Sequence, residues 1–393
     1  MKTIESIAKT LKGKKVILRL DLNVPLQKKN ITDTNRIDKI IPTLTFLISN
    51  KARILIVSHV GRPKGKIIEE LSMSPICEYL QKKLNQKIYL IKTDINNLNK
   101  KDLFQNENEN ILMLENLRFF NGEEENNMQF AKRLASFGDL YVNDAFSCSH
   151  RKHASVYSIT EFIPSYAGIQ LSSEIEALRN ITKHIARPIT CIIGGSKIST
   201  KINVIKNLIS KFDNLIFVGG MANNVLKYKK FPIGKSVFEE NCDDIVEDIF
   251  ESTQKKNCKL IFPVDVCVGK NLNDKGTIKE ISEVLKDDII LDIGPKTINI
   301  LNKTIEKTKT ILWNGPAGYF ENANFRKGSL EIAKKIVEKN KKNEIYSVVG
   351  GGDTVAALNN FGLTKYFNFV STAGGAFLEF LEGKELPGIK ALE

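Results

Sequence analysis

Residues 189–209 read ITCIIGGSKISTKINVIKNLI, an apolar run followed by two glycines and a second, periodic apolar segment. The first part, Ile189–Ile193, has the short, continuous apolar character of a strand that is buried on both faces. From Ile198 to Ile209, isoleucines recur at the spacing of one helical face. The stretch therefore predicts a strand, a glycine-rich turn and a helix, which is the unit from which α/β folds are built.

This unit recurs along the whole chain, because short runs rich in Ile, Val and Leu alternate with segments of helical periodicity. The pattern predicts an α/β fold with two doubly wound, parallel-sheet (Rossmann-like) domains. The boundary is expected near residues 164–180, which gives domains over 1–170 and 171–379. The predicted strands are Val16–Leu20, Ile54–Val57, Ile88–Ile91, Ile111–Leu114, Leu140–Val142, Ile189–Ile193, Leu215–Val218, Leu260–Val264, Ile289–Ile293, Ile311–Trp313, Ile345–Val349 and Phe367–Val370.

Charge and cysteine usage exclude several classes of protein. The formal net charge of +13 is spread over both halves, whereas a nucleic-acid-binding protein concentrates its excess in a tail or on one face. The six cysteines include no CxxC pair, and their spacing suits neither a zinc site nor a disulfide framework. The N-terminus lacks the apolar segment of a signal peptide, and no apolar run approaches the ~18 residues of a membrane span. We therefore expect a cytoplasmic protein with reduced thiols.

Arginine is scarce, and its distribution is informative. Nine of the ten arginines precede residue 188, although lysines are abundant throughout. The planar guanidinium grips a carboxylate or phosphate in two places, which the lysine ammonium cannot do. A small, highly charged anion is therefore expected to bind the first half. Five of these arginines lie at or just beyond the ends of predicted strands, namely Arg19, Arg36, Arg62, Arg118 and Arg151.

Other polar residues occupy the same positions, where open α/β sheets bind their ligands. Asp21 and Asn23 alternate with apolar residues, so their side chains point the same way. They form either an Asx turn before Pro25 or a pair of groups that bind a hydroxylated substrate. His59 follows the second predicted strand directly. Each of these residues could belong to an ordinary surface loop, but together they predict an anion site.

The turn quoted above carries two lysines, Lys197 and Lys201, whose four-residue spacing places them on one helical face. A lysine near a helix N-terminus opposes the helix dipole by roughly 0.3–1 kcal/mol. A bound phosphate reverses that sign, because the helix N-terminus and the glycines favour anions. Phosphate binding is therefore the favoured interpretation, and chance surface lysines are the alternative.

Two further strand-end turns fit a polyphosphate ligand. In the segment Gly350–Thr354, three glycines allow backbone N–H groups to approach phosphate oxygens. Asp353 is either a helix N-cap or a contact for Mg²⁺. Glu321 follows a tight Pro-Gly turn and could reach ribose hydroxyls. No GxGxxG follows a predicted strand, and Gly234-Lys235-Ser236 lacks the first glycine of a Walker A loop, where the chain has Lys229.

Together these segments closely resemble the phosphoglycerate kinase family. The resemblance runs in order through both halves of the chain. It implies two domains facing a cleft, which must close for a reversible transfer between 1,3-bisphosphoglycerate and ADP that gives 3-phosphoglycerate and ATP. The segments that carry the resemblance are VILRLDLNVPL (16–26), HVGRP (59–63), ENLRF (115–119), NDAF with HRKHAS (143–146 and 150–155), GGSKISTK (194–201), WNGPAGYFE (313–321), VVGGGDT (348–354) and STAGGAFLE (371–379).

The resemblance also implies roles for individual residues, carried over position by position. The first domain is the substrate domain, with residues 380–393 packing back onto it, and the second is the nucleotide domain. The implied cofactor is Mg²⁺ with ADP or ATP, and the implied protein is a monomer without nucleic-acid or membrane partners. The implied catalytic pair is Arg36 and Lys197. The implied binding residues are Asp21, Asn23, Arg36, His59, Arg62, Arg118 and Arg151 for the substrate, and Lys201, Glu321, Gly351, Gly352, Asp353 and Thr354 for the nucleotide, with Asp353 nearest the metal.

The chain departs from the family pattern at two places. The family usually has Gly-Thr-Ala after Asp-Ala-Phe, and this chain has Ser147-Cys148-Ser149. The family usually has three glycines where this chain has Ala373-Gly374-Gly375, a loop that helps to orient the transferred group. Neither departure removes a charged group. The alternative functions are a kinase for another small carboxylate and a non-catalytic, basic nucleic-acid-binding protein.

Overall fold

The computed structural model describes residues 1–106, 109–182 and 186–393. The chain divides into two compact units. The first unit comprises Met1–Glu176 together with Glu385–Glu393, and the second comprises Ala177–Lys384. The division falls after Glu176, inside the helix Ile169–Thr182, whose residues therefore belong to both units. The returning segment begins at Glu385 rather than at residue 380.

The first unit contains a six-stranded parallel sheet in the order β5-β6-β4-β1-β7-β8. β6 and β7 are buried along their whole length, and β1 is buried from Val16 onward, as their continuous apolar runs predict. The strand order reverses between β1 and β7, which makes this point the topological switch point. The strands are β1 (Lys15–Leu20), β2 (Leu26–Gln27), β3 (Asn30–Ile31), β4 (Arg53–Val57), β5 (Tyr89–Ile91), β6 (Ile111–Leu114), β7 (Leu140–Asp144) and β8 (Ser165–Ala167). The helices are α1 (Asn35–Ser49), α2 (Ser74–Leu84), α3 (Asn121–Glu124), α4 (Met128–Ala135) and α5 (Ile169–Thr182).

The second unit contains a six-stranded parallel sheet in the order β11-β10-β9-β15-β16-β17 and a three-stranded sheet in the order β13-β12-β14. The strands are β9 (Ile189–Ile193), β10 (Asn214–Phe217), β11 (Lys259–Ile261), β12 (Asp265–Gly269), β13 (Thr277–Glu280), β14 (Ile289–Ile293), β15 (Thr310–Asn314), β16 (Tyr346–Val349) and β17 (Phe369–Val370). The helices are α6 (Ile202–Ile209), α7 (Gly219–Tyr228), α8 (Asp243–Lys255), α9 (Pro295–Lys307), α10 (Lys327–Lys341), α11 (Gly352–Asn360) and α12 (Gly375–Leu381), and α13 (Pro387–Lys390) belongs to the first unit.

Two predictions about strands are wrong in detail. The run Ile289–Ile293 was expected in the parallel sheet, but it pairs antiparallel with β12 in the small sheet. An apolar run shows that a strand is buried and not which sheet buries it, and strand pairing is a long-range property. In the first unit, β8 was not predicted, because Ser165–Ala167 is too short and too polar to form an apolar run.

The two strands beside the switch point of the second unit, β9 and β15, end in a close backbone contact. Gly315 has φ +118°, and a Cβ atom there would lie 2.5 Å from the Cα of Gly194. Only glycine allows this approach without strain. The backbones of the segments that follow β9 and β15 therefore lie in direct contact at the switch point, with no side chain between them.

The C-terminal segment packs on the first unit through Leu386, Ile389 and Leu392, which are all buried. The Gly388 N–H donates to the Ser149 carbonyl at 2.8 Å, and a Cβ on Gly388 would lie 2.6 Å from Val156 Cγ1. The segment is therefore closely fitted to the loop that follows β7. Within the described residues, no helix combines the length and the apolar character that crossing a bilayer requires.

Candidate functional site

Polar side chains gather at the switch point of the first unit, beyond the carboxyl ends of β1, β4 and β7. Asp21 follows β1 and is 7% exposed. Its Oδ2 lies 3.0 Å from Nη1 of Arg36, which stands in the first turn of α1. Its Oδ1 accepts the Asn23 N–H at 3.2 Å, so an Asx turn is present as well as the ion pair. The structure thus joins two of the predicted substrate residues directly.

The loop after β4 brings in two more of the predicted residues. The Gly61 N–H donates to Asn23 Oδ1 at 2.9 Å, and the Gly61 carbonyl accepts from Arg118 Nη1 at 2.8 Å. Arg118 is largely buried, and its Nε lies 3.3 Å from Glu124 Oε1. Burial lowers the pKa of Arg118 from its usual value. An arginine that is held in this way is preorganised, because its guanidinium does not lose further freedom when an anion binds.

His59 is fixed in one protonation state by a neighbour that the sequence had placed among the ligand-binding arginines. Arg19 is fully buried, and its Nη2 lies 3.0 Å from His59 Nδ1. A guanidinium can only donate, so Nδ1 must accept and the imidazole hydrogen lies on Nε2. Burial, reinforced by the charges of Arg19 and Arg118, lowers the pKa of His59 well below its usual value. His59 is therefore a neutral hydrogen-bond donor, and Arg19 serves inside the protein rather than toward a ligand.

A buried acid balances Arg19. Arg19 Nε donates to Ser155 Oγ at 2.9 Å, and that hydroxyl donates to Glu123 Oε1 at 2.6 Å. Glu123 is fully buried and also accepts the Ser155 N–H at 2.9 Å. His153 Nδ1 lies 4.0 Å from Glu123 Oε1, and burial together with Arg118 and Arg19 lowers the pKa of His153 to about 3. Within the motif His150–Ser155, His153 and Ser155 therefore contact the buried groups that support the site.

The remaining two predicted arginines differ in placement. Arg62 is exposed immediately after Gly61. Arg151 is half-buried, and its Nε donates to His150 Nε2 at 3.1 Å. Burial is the main cause that lowers the pKa of Arg118, and the charges of Arg19 and Arg151 lower it further, so Arg151 stands close to the other cations. Repulsion within such a cluster is relieved when a multiply charged anion binds.

The second unit has a cavity of about 310 Å³ beside its own switch point. One wall is apolar and comes from the small sheet, with Val266, Ile290, Leu291 and Ile293. The opposite side consists of the glycine turns after β9, β10 and β15, and Asp353 lines one part of the rim. A flat aromatic ring suits the apolar wall, and phosphate oxygens suit the exposed N–H groups of glycine turns.

Lys201 stands at the glycine turns. Its Nζ donates to the Gly194 carbonyl and to Asn314 Oδ1, both at 2.7 Å. A Cβ on Gly195, which lines the cavity, would lie 3.3 Å from this Nζ. Burial lowers the pKa of Lys201 from its usual value, and nearby Asp353 opposes that change. The ammonium is thus held at the cavity by Asn314, a residue that the sequence reading had not singled out.

Lys197 is placed differently, because its side chain is exposed. The segment Ser199–Lys201 forms a 3-10 turn and α6 begins only at Ile202, so the two lysines do not lie on consecutive turns of one α-helix as predicted. The turn is held by Glu239, whose Oε2 accepts the Ser199 N–H at 3.0 Å and whose Oε1 accepts the Ser199 hydroxyl. Glu239 was not predicted from the sequence, because no local pattern links it to a turn forty positions earlier.

The segment Gly351–Thr354 opens α11. Gly351 has φ +94°, and a Cβ there would lie 2.6 Å from Asn314 Nδ2. Thr354 is buried, and its hydroxyl accepts the Gly315 N–H at 2.7 Å, so it ties the turns after β15 and β16 together. Gly352 and Asp353 are exposed, and Asp353 lines the cavity. Glu321 is exposed and lies just beyond Tyr319, the last cavity-lining residue of its turn.

Comparisons with known proteins show the family to which the chain belongs. The family model described as phosphoglycerate kinase matches residues 4–384. A phosphoglycerate kinase of Wolbachia sp. subsp. Drosophila simulans (strain wRi) is 44% identical over 385 residues, covering 98% of this chain and 96% of that protein. One of Zymomonas mobilis is 42% identical over 394 residues, covering 100% of this chain and 99% of that protein.

Solved structures give the same answer. The phosphoglycerate kinase from Coxiella burnetii is similar with a TM-score of 0.88 at 42% identity, covering 97% of this chain and 96% of that one. The enzyme from Pyrococcus horikoshii OT3 is similar with a TM-score of 0.84 at 28% identity, covering 100% and 98%. The chain therefore belongs to the phosphoglycerate kinase family.

Proposed function

We propose that the first unit binds 3-phosphoglycerate or 1,3-bisphosphoglycerate and that the second binds MgADP or MgATP. The family activity is the reversible transfer of a phosphoryl group between these ligands, and this chain is an enzyme of that class. One observation supports the assignment of the two ligands to different units. The switch point of the first unit presents clustered guanidinium groups, whereas that of the second presents glycine turns beside an apolar cavity.

Most of the predicted site residues receive a role in this proposal. Arg118, Arg151 and the exposed Arg62 bind the acidic groups of the substrate, and Asn23 and the Nε2–H of His59 bind its uncharged oxygens. Lys201 and the Gly351-Gly352 turn bind nucleotide phosphates, and Glu321 binds the ribose. Arg36 and Lys197 stabilise the charge of the phosphoryl group during its transfer.

The chemistry needs no general base. The acceptor is a carboxylate, which is already a nucleophile at neutral pH, so catalysis consists of positioning and charge stabilisation. Two histidines of the motif segments, His59 and His153, have lowered pKa values caused first by burial, which supports a reaction without a histidine base. They remain neutral across the physiological range and act as hydrogen-bonding groups.

The residues at the cavity fit a magnesium ion that enters with the nucleotide. Asp353 offers an exposed carboxylate at the rim, and oxygen is the ligand that Mg²⁺ prefers. Among the described residues there is no group of three side chains that could hold a metal alone. We therefore propose that nucleotide phosphates supply most of the coordination. The ion would neutralise phosphate charge there, and Lys201 would hold the same oxygens from the side of β9.

We further propose that the enzyme works as a monomer in the cytoplasm. All six cysteines are free and buried, which supports a reducing compartment. The Asp21–Arg36 pair of the first unit and the cavity of the second are each formed by residues of one chain. Sedimentation of the purified chain at several concentrations tests whether the protein is a monomer.

A coupled assay with 3-phosphoglycerate and ATP tests the activity directly. Product formation that depends on both substrates and on Mg²⁺ is expected. The same assay with glycerate or acetate as acceptor tests the rival carboxylate kinase, because only a ligand with a phosphate and a carboxylate uses the whole arginine cluster. Turnover of the simple carboxylates at the rate of 3-phosphoglycerate would contradict the proposed substrate.

Arg118→Ala is expected to weaken 3-phosphoglycerate binding and to leave MgADP binding unchanged. The variant removes the arginine from its charge pair with the bound substrate. Losing one partner of a largely buried charge pair costs about 2 kcal/mol or more, which is roughly thirtyfold in Kd. Isothermal titration with each ligand separately measures both affinities.

Two control variants sharpen that titration. Arg53 belongs to the same sheet but stands at the amino end of β4, where it donates to the Phe104 carbonyl at 2.9 Å, so Arg53→Ala should change neither affinity. Asp353→Asn should weaken MgADP binding alone. Equal losses for both ligands in Arg118→Ala would show that the two-site division is wrong.

A further inference from the structure

One departure from the family pattern forms a hydrogen bond with a residue of the proposed substrate site. Ser147 opens the segment Ser147-Cys148-Ser149, at a place where the family usually has glycine. It follows β7, the strand that pairs with β1 across the switch point of the first unit. Its Oγ lies 2.5 Å from Asp21 Oδ2, and the serine hydroxyl donates because the carboxylate can only accept. A glycine at this position could make no such bond.

This bond completes the hydrogen bonding of Asp21. Oδ2 accepts from Ser147 and lies 3.0 Å from Arg36 Nη1. Oδ1 accepts from Arg36 Nη1 at 3.1 Å and from the Asn23 N–H at 3.2 Å. Both oxygens are therefore held, by donors from the loop after β1, from α1 and from the loop after β7. A carboxylate held at both oxygens offers its arginine partner one orientation instead of several.

The turn that carries Ser147 is itself well supported. The Cys148 N–H donates to the Ala145 carbonyl at 3.1 Å, and the Ser149 N–H donates to the Phe146 carbonyl at 2.9 Å. The Ser149 carbonyl accepts from Gly388 of the C-terminal segment at 2.8 Å. Ser147 is thus a side chain on a rigid support, which is what a positioning residue requires.

We propose that Ser147 is a positioning residue, which orients the guanidinium of Arg36 for phosphoryl transfer by holding the Asp21 carboxylate. This inference rests on the role of Arg36 in the proposed function. Without the hydroxyl, Oδ2 of Asp21 would keep its contact with Arg36 but lose its second donor, so the carboxylate would fix the orientation of Arg36 less firmly. The substrate would still bind, but Arg36 would meet the transferred group in the right orientation less often.

Ser147→Ala is expected to lower kcat roughly tenfold, since a hydrogen bond to a charged group is worth about that factor or more. KM for ATP should stay unchanged, because the nucleotide residues lie in the second unit. Ser147→Thr keeps the hydroxyl and should restore most of kcat. The matched control is Ser149→Ala, which removes a hydroxyl bonded to the Ala145 carbonyl in the same turn and should behave as wild type.

A double-mutant cycle with Asp21→Ala decides whether Ser147 acts through Asp21. In the Asp21→Ala background, adding Ser147→Ala should cost nothing further. The same fold loss in both backgrounds, or wild-type kcat in the single variant, would overturn the inference. Ser147→Gly provides a second test if the alanine variant is poorly folded, as judged by its melting temperature. The wild-type assay separates the two proposals, because absent turnover in wild type refutes the function, whereas normal turnover in Ser147→Ala refutes only the positioning role.

Discussion

Arg36→Ala is expected to lower kcat by about 10²–10³, while the Kd for MgADP stays at its wild-type value. Losing one donor that meets charge developing in the transition state costs about 2.7–4 kcal/mol. Arg36 is suited to this role because its guanidinium is only partly exposed and is already oriented by Asp21 at 3.0 Å. Rapid-quench measurement of single turnovers reports the chemical step, and titration reports binding.

The ion pair complicates the single variant, because Arg36→Ala leaves the Asp21 carboxylate uncompensated next to an anionic substrate. The double variant Arg36→Ala/Asp21→Asn removes that repulsion. Substrate affinity should recover in the double variant, whereas kcat should stay low. Arg36→Lys keeps the charge but loses the planar fork, so an intermediate kcat is expected. Recovery of kcat in the double variant would mean that Arg36 serves only to neutralise Asp21.

Lys197 offers the corresponding test in the second unit. Lys197→Ala should also lower kcat more than it weakens nucleotide binding, because Lys201 and the glycine turns remain. Lys206 is its matched control, since it lies on α6 in an ion pair with Asp248 and should tolerate replacement by alanine. Near-normal turnover of Lys197→Ala would remove Lys197 from the catalytic pair.

Those parts of the fold that depend on local sequence patterns could be predicted. Buried parallel strands produce continuous apolar runs, and Ile111–Leu114 and Ile189–Ile193 were located with their bounds. The small antiparallel sheet was not predicted, because β14 has the same apolar character as a strand of the main sheet. Which strands pair depends on contacts between distant residues, and a local pattern carries no information about them.

The candidate site divides in the same way. Asp21 and Arg36 could be proposed from strand-end positions and the resemblance, because a strand end is a local feature. The partners that hold the site could not be, since Glu239, Asn314 and Ser147 reach their targets across 40, 113 and 126 positions. Arg19 was recognised as a strand-end arginine, but its burial was not. A buried arginine and a ligand-binding arginine are identical in the sequence, and only the packing around the side chain distinguishes them.

The internal role of Arg19 leads to the largest expected effect on stability. Arg19→Met should lower the free energy of unfolding by about 3–5 kcal/mol, because the buried Glu123 carboxylate would lose the cation that compensates its charge across the Ser155 hydroxyl. Glu123 would remain fully buried, with the Ser155 hydroxyl and N–H as its hydrogen-bond donors. Methionine fills most of the volume of the arginine stem, so loss of packing contributes less than loss of charge.

The double variant Arg19→Met/Glu123→Gln is the matched control for this effect, because it removes both charges and keeps a hydrogen-bonding group beside Ser155. It should recover much of the lost stability, since removing two opposite buried charges together is often nearly neutral. Urea denaturation followed by far-ultraviolet circular dichroism measures the change. Trp313, the only tryptophan, is buried in the second unit, so its fluorescence follows that unit separately. If the double variant were no more stable than Arg19→Met, the contribution of Arg19 would lie in its other hydrogen bonds, to Leu20 and His59, rather than in the compensation of Glu123.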